Sequence, residues 1–269
     1  MTMSQDTSLT ERILKLKRER NAVILAHNYQ LWEVQDIADF VGDSLELSQR
    51  AAQTAARVIV FCGVHFMAET AAILCPAMTV LLPDEHAGCP MANMITAEQL
   101  RQKKKELPET TVVCYINSTA EVKAESDICV TSSNAVKVIE NLDNNEILFV
   151  PDQYLADYVT TQADKKINFW PGYCPTHIRI QPWDITTLKK ENPRAIAVVH
   201  PECRPEVIAV ADEVLSTGGM IRCAQREEVR EMIIGTELGI IHRLKKENPG
   251  KKFIPASEQA VCPNMKLIT

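Results

Sequence analysis

One segment pattern occurs three times in this chain of 269 residues, and it limits the folds that the chain can adopt. Each copy has a basic helical segment, a short break and an apolar run that ends in polar residues. Short apolar runs that alternate with helical segments are typical of buried parallel strands in α/β proteins. The pattern predicts three similar α/β units, with first strands at 22–26, 111–116 and 195–199 that end near His27, Asn117 and His200.

A Cys-Pro pair closes each predicted unit. The pairs begin at Cys89, Cys174 and Cys262, which are 85 and 88 residues apart, so these cysteines share the period of the units. A second apolar strand is predicted at 58–62 in the first unit and at 147–150 in the second. The pattern therefore predicts domains at 1–89, 90–174 and 175–269.

A serine follows the end of each first strand by 15 to 17 residues, at Ser44, Ser132 and Ser216. Each serine precedes an apolar helical pattern and is predicted to be a helix N-cap. Helix N-termini also receive anions, so these sites would suit a substrate with several carboxylates or a phosphate. The glycine-rich fingerprints of nucleotide-binding loops do not occur, which disfavours nucleotide cofactors.

The net charge argues against a general nucleic-acid surface, and the lengths of the apolar runs argue against a membrane-spanning segment. The formal net charge is −6, and the clusters of lysine lack interleaved aromatic residues. No stretch approaches the roughly 18 consecutive apolar residues that cross a bilayer, and the polar first ten residues do not resemble a secretory signal. We therefore expect a cytoplasmic protein.

The chain has nine cysteines, an odd number that disfavours a complete disulfide framework. In a reducing compartment, cysteines in excess of core positions are more often metal ligands or catalytic thiols. The period selects Cys89, Cys174 and Cys262, and three thiolates would leave a coordination position open for substrate. We predict core positions for Cys62, Cys114 and Cys129, and a structural role for Cys75, which breaks the period although it also precedes a proline.

The ends of the first strands carry side chains that can transfer protons. A histidine beside a tyrosine, facing a glutamate from another unit, is a plausible set for proton transfer around a carbonyl condensation. These strand-end residues are His27, Asn28 and Tyr29, then Tyr115 and Asn117, then His200 and Glu202.

Several motifs in order along the chain resemble quinolinate synthases. They are 26–30 (Ala-His-Asn-Tyr-Gln), 42–44 (Gly-Asp-Ser), 88–90 (Gly-Cys-Pro), 115–117 (Tyr-Ile-Asn), 131–134 (Thr-Ser-Ser-Asn), 174–177 (Cys-Pro-Thr-His), 200–203 (His-Pro-Glu-Cys) and 262–265 (Cys-Pro-Asn-Met). The resemblance implies three three-layer α/β domains in a pseudo-threefold arrangement around a central active site, with a 4Fe-4S cluster. It also implies a transferase of NAD biosynthesis that condenses iminoaspartate (iminosuccinate) with dihydroxyacetone phosphate to quinolinate, releasing phosphate and water.

The resemblance also implies roles for individual residues. Cys89, Cys174 and Cys262 resemble the cluster ligands, and the iron that they leave open would act as a Lewis acid. Tyr29 and Glu202 resemble proton-transfer residues, and His27 and Tyr115 complete the catalytic set. The implied substrate-binding residues are His27, Ser44, Tyr115, Ile116, Asn117, Ser132, His177, His200, Pro201, Glu202 and Thr217.

The resemblance further implies transient coupling to an aspartate-oxidising enzyme that supplies iminoaspartate. Family members usually continue past the motif at 262–265 with a helical segment that packs on the first domain, so it also implies residues beyond Thr269. Three alternatives remain from the residues alone: another three-cysteine iron-sulfur hydro-lyase, a three-cysteine zinc enzyme, and an iron-sulfur electron carrier or redox sensor.

Overall fold

The computed structural model describes residues 3–269, with side chains from residue 9 onward. It divides into two compact units, one of Met1–Gly88 with Pro263–Thr269 and the other of Cys89–Cys262. In the described part of the chain, no helix is long and apolar enough to cross a membrane.

Three parallel four-stranded sheets form the framework, one in the first unit and two in the second. In each sheet the first strand lies between the second and the third, and the fourth follows the third at the far edge. The three similar α/β folds predicted from the sequence are therefore confirmed. The strands are β1 Ala22–His27, β2 Phe40–Gly42, β3 Val58–Cys62, β4 Thr79–Leu81, β5 Thr111–Tyr115, β6 Ile128–Val130, β7 Glu146–Val150, β8 Lys166–Phe169, β9 Ile196–Val199, β10 Glu213–Val214, β11 Glu231–Gly235 and β12 Lys252–Pro255.

Helices connect the strands, as parallel pairing requires. Short 3-10 helices at Met91–Asn93, His177–Arg179 and Pro263–Lys266 begin within three residues after the three periodic cysteines. The α-helices are α1 Met3–Glu19, α2 Trp32–Ile37, α3 Ser44–Gln53, α4 His65–Leu74, α5 Ala97–Glu106, α6 Ala120–Ala124, α7 Ala135–Glu140, α8 Gln153–Thr160, α9 Pro182–Glu191, α10 Pro205–Ile208, α11 Thr217–Gln225 and α12 Ile240–Glu247.

One of the three predicted serine caps is present. Ser216 caps α11, and its Oγ accepts a hydrogen bond from the Gly219 N–H at 3.2 Å. The prediction for Ser44 was wrong, because the carboxylate of Asp43 one residue earlier accepts from the Glu46 N–H. The prediction for Ser132 was also wrong: Asn134 occupies the N-cap position of α7, and its side chain accepts the Thr131 N–H rather than an N–H of the helix.

An aspartate fixes the start of the second strand in every sheet. The carboxylates of Asp39, Asp127 and Asp212 each accept, at 2.8 Å, the backbone N–H of the residue 15 positions earlier, which belongs to the first strand. The N–H of each aspartate donates to the carbonyl of that same residue, at 2.8 to 3.0 Å. The first two strands of each sheet consequently pair with the same offset, as in Leu25 with Phe40 and Val113 with Ile128.

Each sheet has its own apolar core. The core of the first sheet includes Ile24 and Ala26, and Ile268 from the distant segment Pro263–Thr269 packs into it. Val112 and Leu148 belong to the core of the second sheet, and a third cluster lies against β9 and β11. The predicted domain boundaries at residues 89 and 174 stay predictions, as does the pseudo-threefold arrangement around a central site.

We expect Asp127→Ala to lower the free energy of unfolding by about 1–3 kcal/mol, because the Val112 N–H loses a charged acceptor inside the sheet. Urea denaturation measures this change as a lower midpoint. The matched control is Asp143→Ala, an exposed residue of the same unit, for which we expect a change within about 0.5 kcal/mol. Equal effects of the two variants would contradict the assigned role of the aspartate.

Candidate functional site

The carboxylate of Glu202 is the centre of a buried hydrogen-bond network in the second unit. Its side chain follows β9 and is 3% exposed. The hydroxyl of Tyr115, at the end of β5, donates to Oε1 at 2.5 Å, and the Asn117 amide lies 3.4 Å from the same oxygen. The Nδ1 of His177 lies 2.7 Å from Oε2. Predicted residues from three separate segments therefore meet at one carboxylate.

Two histidines line the other side of this carboxylate. The rings of His177 and His200 are stacked, with centroids 4.7 Å apart and planes inclined by 22°. The Nδ1 of His200 lies 3.9 Å from Glu202 Oε2 and accepts the Glu202 N–H at 3.3 Å. The Nε2 of His177 lies 2.8 Å from the hydroxyl of Thr236, which orients the ring.

The charge state of Glu202 follows from these neighbours. Burial alone would raise the pKa of this carboxyl. The charges of His177 and His200 and the hydrogen bonds from His177 and Tyr115 outweigh burial, and they hold the pKa of Glu202 well below its usual range. Glu202 is therefore ionised at neutral pH, and it is the acceptor in this network.

The thiols of Cys89 and Cys174 lie close to this network. Burial raises the pKa of the Cys89 thiol to about 12, and the charges of Cys262 and Glu202 add to that effect. Burial likewise raises the pKa of Cys174, with contributions from the charges of Glu202 and Cys89. The charge of Cys262 acts on Cys89 and that of Cys89 acts on Cys174, so these thiols lie within electrostatic reach of one another although they are far apart in sequence.

Each of these two sulfurs also faces backbone N–H groups at the start of the following 3-10 helix. Hydrogen bonds from Met91 and Ala92 lower the pKa of Cys89, and those from Thr176 and His177 lower the pKa of Cys174, although burial dominates in both cases. N–H groups at a helix start stabilise a thiolate. The Cys-Pro pairs therefore supply both the thiol and donors that favour its anion.

Cys262 is held by a buried carboxylate. Its N–H donates to Glu237 Oε1 at 3.1 Å, and the other oxygen of Glu237 accepts the Gly239 N–H at 2.7 Å. Glu237 is fully buried and follows β11. None of the nine cysteines, all within the described residues, forms a disulfide.

A second set of candidate metal ligands shares Cys174 with the three periodic cysteines. One ligand atom from each of Cys174, His177 and Glu202 lies within 4.8 Å of the other two. The His177 Nδ1 is 3.1 Å from the Cys174 sulfur. This mixed donor set would suit a single ion such as Zn²⁺.

The other predicted residues of the second unit lie near strand ends or helix starts. Ile116 is buried and donates its N–H to the Val130 carbonyl at 2.8 Å, and buried Pro201 lies between His200 and Glu202. Thr217 is the buried first residue of α11. Ser132 is half-buried; it is its neighbour Ser133 that donates to the Ser216 hydroxyl, at 2.8 Å.

The remaining predicted residues belong to the first unit. His27 ends β1 and is buried, and its Nδ1 accepts the Tyr29 N–H at 3.2 Å, as His200 accepts the Glu202 N–H. The rings of His27 and Tyr29 meet edge to face with centroids 4.6 Å apart. Lys266 donates to the Tyr29 carbonyl, and Ser44 begins α3. The functional roles of these residues stay predictions.

Sequence reasoning missed three buried polar residues in the second unit. Thr236 and Glu237 follow β11, and Asp152 follows the end of β7 and caps α8. Oδ2 of Asp152 is buried and has no hydrogen-bond partner, and burial, together with the charge of Glu202, raises the pKa of this carboxyl well above its usual value. The signal in the sequence for these residues is a polar side chain directly after an apolar run, here at the ends of β7 and β11 rather than of a first strand.

Comparison with known proteins identifies similar chains. Residues 11–269 match the family model of quinolinate synthetase A protein (NadA). A quinolinate synthase of Dehalococcoides mccartyi (strain CBDB1) is 64% identical over 261 residues, which cover 97% of this chain and 86% of that one. Those of Geobacter metallireducens and Methanosarcina barkeri are 56% and 55% identical, each covering 98% of this chain and 87% of the relative.

We expect Glu202→Ala to lower the free energy of unfolding by about 3–5 kcal/mol, because it leaves the buried donors of Tyr115 and His177 without their acceptor. Glu202→Gln keeps an oxygen for Tyr115 and should cost less. Urea denaturation under reducing conditions compares the two with Glu258→Ala, a control at an exposed position. A Glu202→Ala midpoint equal to that of the control would exclude a structural contribution of the network.

Proposed function

The chain belongs to the quinolinate synthase family, and from this we propose that it condenses iminoaspartate with dihydroxyacetone phosphate to form quinolinate for NAD biosynthesis. The reaction releases phosphate and water, and it would class the enzyme with the condensing and dehydrating transferases. The observation that carries the proposal is the convergence of Tyr115, His177, His200 and Glu202 beside the periodic thiols.

We propose that Cys89, Cys174 and Cys262 hold a 4Fe-4S cluster. The charge of Cys262 adds to the raised pKa of Cys89, and that of Cys89 adds to the raised pKa of Cys174; a bound cation would remove this repulsion between thiolates. Four cysteines are the usual number for such a cluster, so three leave one iron open. When bound, the cluster supplies that iron as a Lewis acid for hydroxyl and carbonyl oxygens.

The protein groups of the proposed mechanism transfer protons and bind anions. Ionised Glu202 orients Tyr115 and His177 as donors. The two histidines are proposed to contact the carboxylates of iminoaspartate. We propose that Tyr29 and Glu202 serve the later isomerisation and dehydration steps, assisted by His27.

The proposed substrate contacts also include hydroxyl and backbone groups. The start of α11, with its Ser216 cap and buried Thr217, offers N–H groups to an anion such as the phosphate of the triose. The remaining contacts are proposed for Ser44, Ile116, Asn117, Ser132 and Pro201. A cytoplasmic location and transient coupling to an aspartate-oxidising enzyme complete the proposal.

One observation favours a second candidate function. The compact group of Cys174, His177 and Glu202 would suit a zinc hydro-lyase that does not use Cys89 or Cys262. The two candidates differ in the residues that hold the metal. They differ also in the metal itself, because only the cluster contains iron and sulfide.

We expect Cys89→Ala, Cys174→Ala and Cys262→Ala each to reduce the iron content of anaerobically prepared enzyme from about four atoms per chain to near zero. The physical reason is that two thiolates do not retain the cluster. Iron and sulfide analysis measures the loss. Cys75→Ala, which changes a buried cysteine of the first unit, is the matched control and should keep the iron.

His177→Ala distinguishes the second candidate in the same analysis. It keeps all three thiols, so the cluster should remain. Loss of metal from His177→Ala but not from Cys89→Ala would instead support the single-ion site.

We expect Tyr29→Phe to retain iron but to lower kcat for quinolinate formation by about 10²–10⁴-fold, because the variant lacks the proton of the phenol. The assay supplies iminoaspartate and dihydroxyacetone phosphate under anaerobic conditions and quantifies quinolinate. Tyr158→Phe, a half-buried tyrosine on α8, is the control and should leave kcat unchanged. An iron-loaded wild-type enzyme that forms no quinolinate would refute the proposed activity.

A further inference from the structure

We propose that Cys114 and Cys129 form a redox-active pair in which exposed Cys129 reacts with the disulfide of a small thiol and buried Cys114 completes an internal disulfide. Both lie in the second sheet, away from the three periodic cysteines in sequence. The sequence predicted core positions for both residues. That prediction was wrong for Cys129, which is exposed.

The register of the sheet brings the two thiols together. Cys114 on β5 and Cys129 on the edge strand β6 are direct partners in the parallel pairing. Neighbouring strands are about 4.8 Å apart, and directly paired side chains point to the same face. Disulfides usually join Cα atoms about 4.4–6.8 Å apart. The pair can therefore be bridged without a change of register.

The two cysteines differ in access to solvent. Cys129 is exposed because β6 lies at the edge of the sheet. Cys114 is fully buried in the apolar core that includes Val112 and Val122. An external disulfide can therefore reach Cys129 but not Cys114, which fixes the order of the two steps.

The surroundings also activate the exposed thiol. The adjacent Cys114 thiol lowers the pKa of Cys129 to about 7; partial burial of the Cys129 sulfur opposes this shift, and the charge of Lys123 adds to it. The interaction with Cys129, together with burial, raises the pKa of Cys114 well above its ordinary value. The Ser118 hydroxyl oxygen lies 2.9 Å from the Cys114 sulfur. A thiol with a pKa near ambient pH attacks disulfides most effectively.

The proposed reaction is two successive exchanges. The Cys129 thiolate attacks one sulfur of the external disulfide, an S–S bond breaks, and one small thiolate leaves. Cys114 then gives up its proton and attacks the Cys129 sulfur, and the second small thiolate leaves. The external disulfide is reduced to two thiols by the two electrons that the protein pair loses.

The position of the pair gives the reaction a structural consequence. Cys114 directly precedes Tyr115, whose hydroxyl donates to Glu202. A disulfide would tie β5 to the edge strand one residue before the candidate site. The inference does not depend on the proposed activity, because it concerns only thiols outside the ligand set.

The test treats the anaerobic holoenzyme with oxidised glutathione and maps tryptic peptides by mass spectrometry. Cleavage after Lys105, Lys123 and Lys137 separates the two thiols into peptides 106–123 and 124–137, each with a single cysteine. We expect these peptides to be linked, in a chain of monomer mass that has lost two hydrogen atoms. No link in the wild-type chain, or a link only between two chains, would overturn the proposal.

Two variants test the order of the steps. In Cys114→Ser the second exchange is blocked, so glutathione should remain bound to Cys129. In Cys129→Ser neither the link nor glutathione on Cys114 should appear. Cys223→Ser, at a buried cysteine of the same unit, is the matched control and should retain the link. Modification of Cys114 in the Cys129→Ser variant would contradict the assigned order.

Discussion

The bond between an aspartate carboxylate and the backbone of the first strand is the interaction on which the rest of the fold depends. It occurs once in each sheet, at Asp39, Asp127 and Asp212, with the same spacing and the same atoms. It fixes the pairing offset between the first two strands and hence the place where the first strand ends. The side chains that follow those strands therefore occupy equivalent positions in all three sheets.

In the candidate site, side chains from equivalent strand ends surround one buried charge, the carboxylate of Glu202. A carboxylate as inaccessible as that of Glu202 is stable only with partners on both oxygens. Tyr115 comes from the end of one first strand, and His200 with Glu202 from the end of another, while His177 follows a Cys-Pro pair. Because their backbones are fixed by the sheets and by a 3-10 helix, the donors are oriented before any ligand arrives.

Periodicity predicted the framework well, because burial on both faces of a parallel strand leaves a clear apolar run. The predicted second strand at 58–62 coincides with β3, and the first strands differ by a residue at most. The helix caps at Ser44 and Ser132 failed because Asp43 caps α3 one residue earlier, and because the N-cap position of α7 lies two residues later, at Asn134. Cys129 was misassigned because an apolar run does not reveal whether its strand lies at an edge. Thr236 and Asp152 were missed because long-range contacts define their roles.

The segment Pro263–Thr269 has a consequence for biosynthesis. Met265 and Lys266 bind Gln30 and Tyr29 across 235 and 237 residues, and Ile268 packs into the core of the first sheet. At a translation rate of about 5–20 residues per second, roughly 10–50 s separate the two halves of this contact. During synthesis the first sheet therefore lacks part of its apolar core while the chain is still attached to the ribosome. The apolar side chains left exposed over that interval make the nascent chain prone to aggregation.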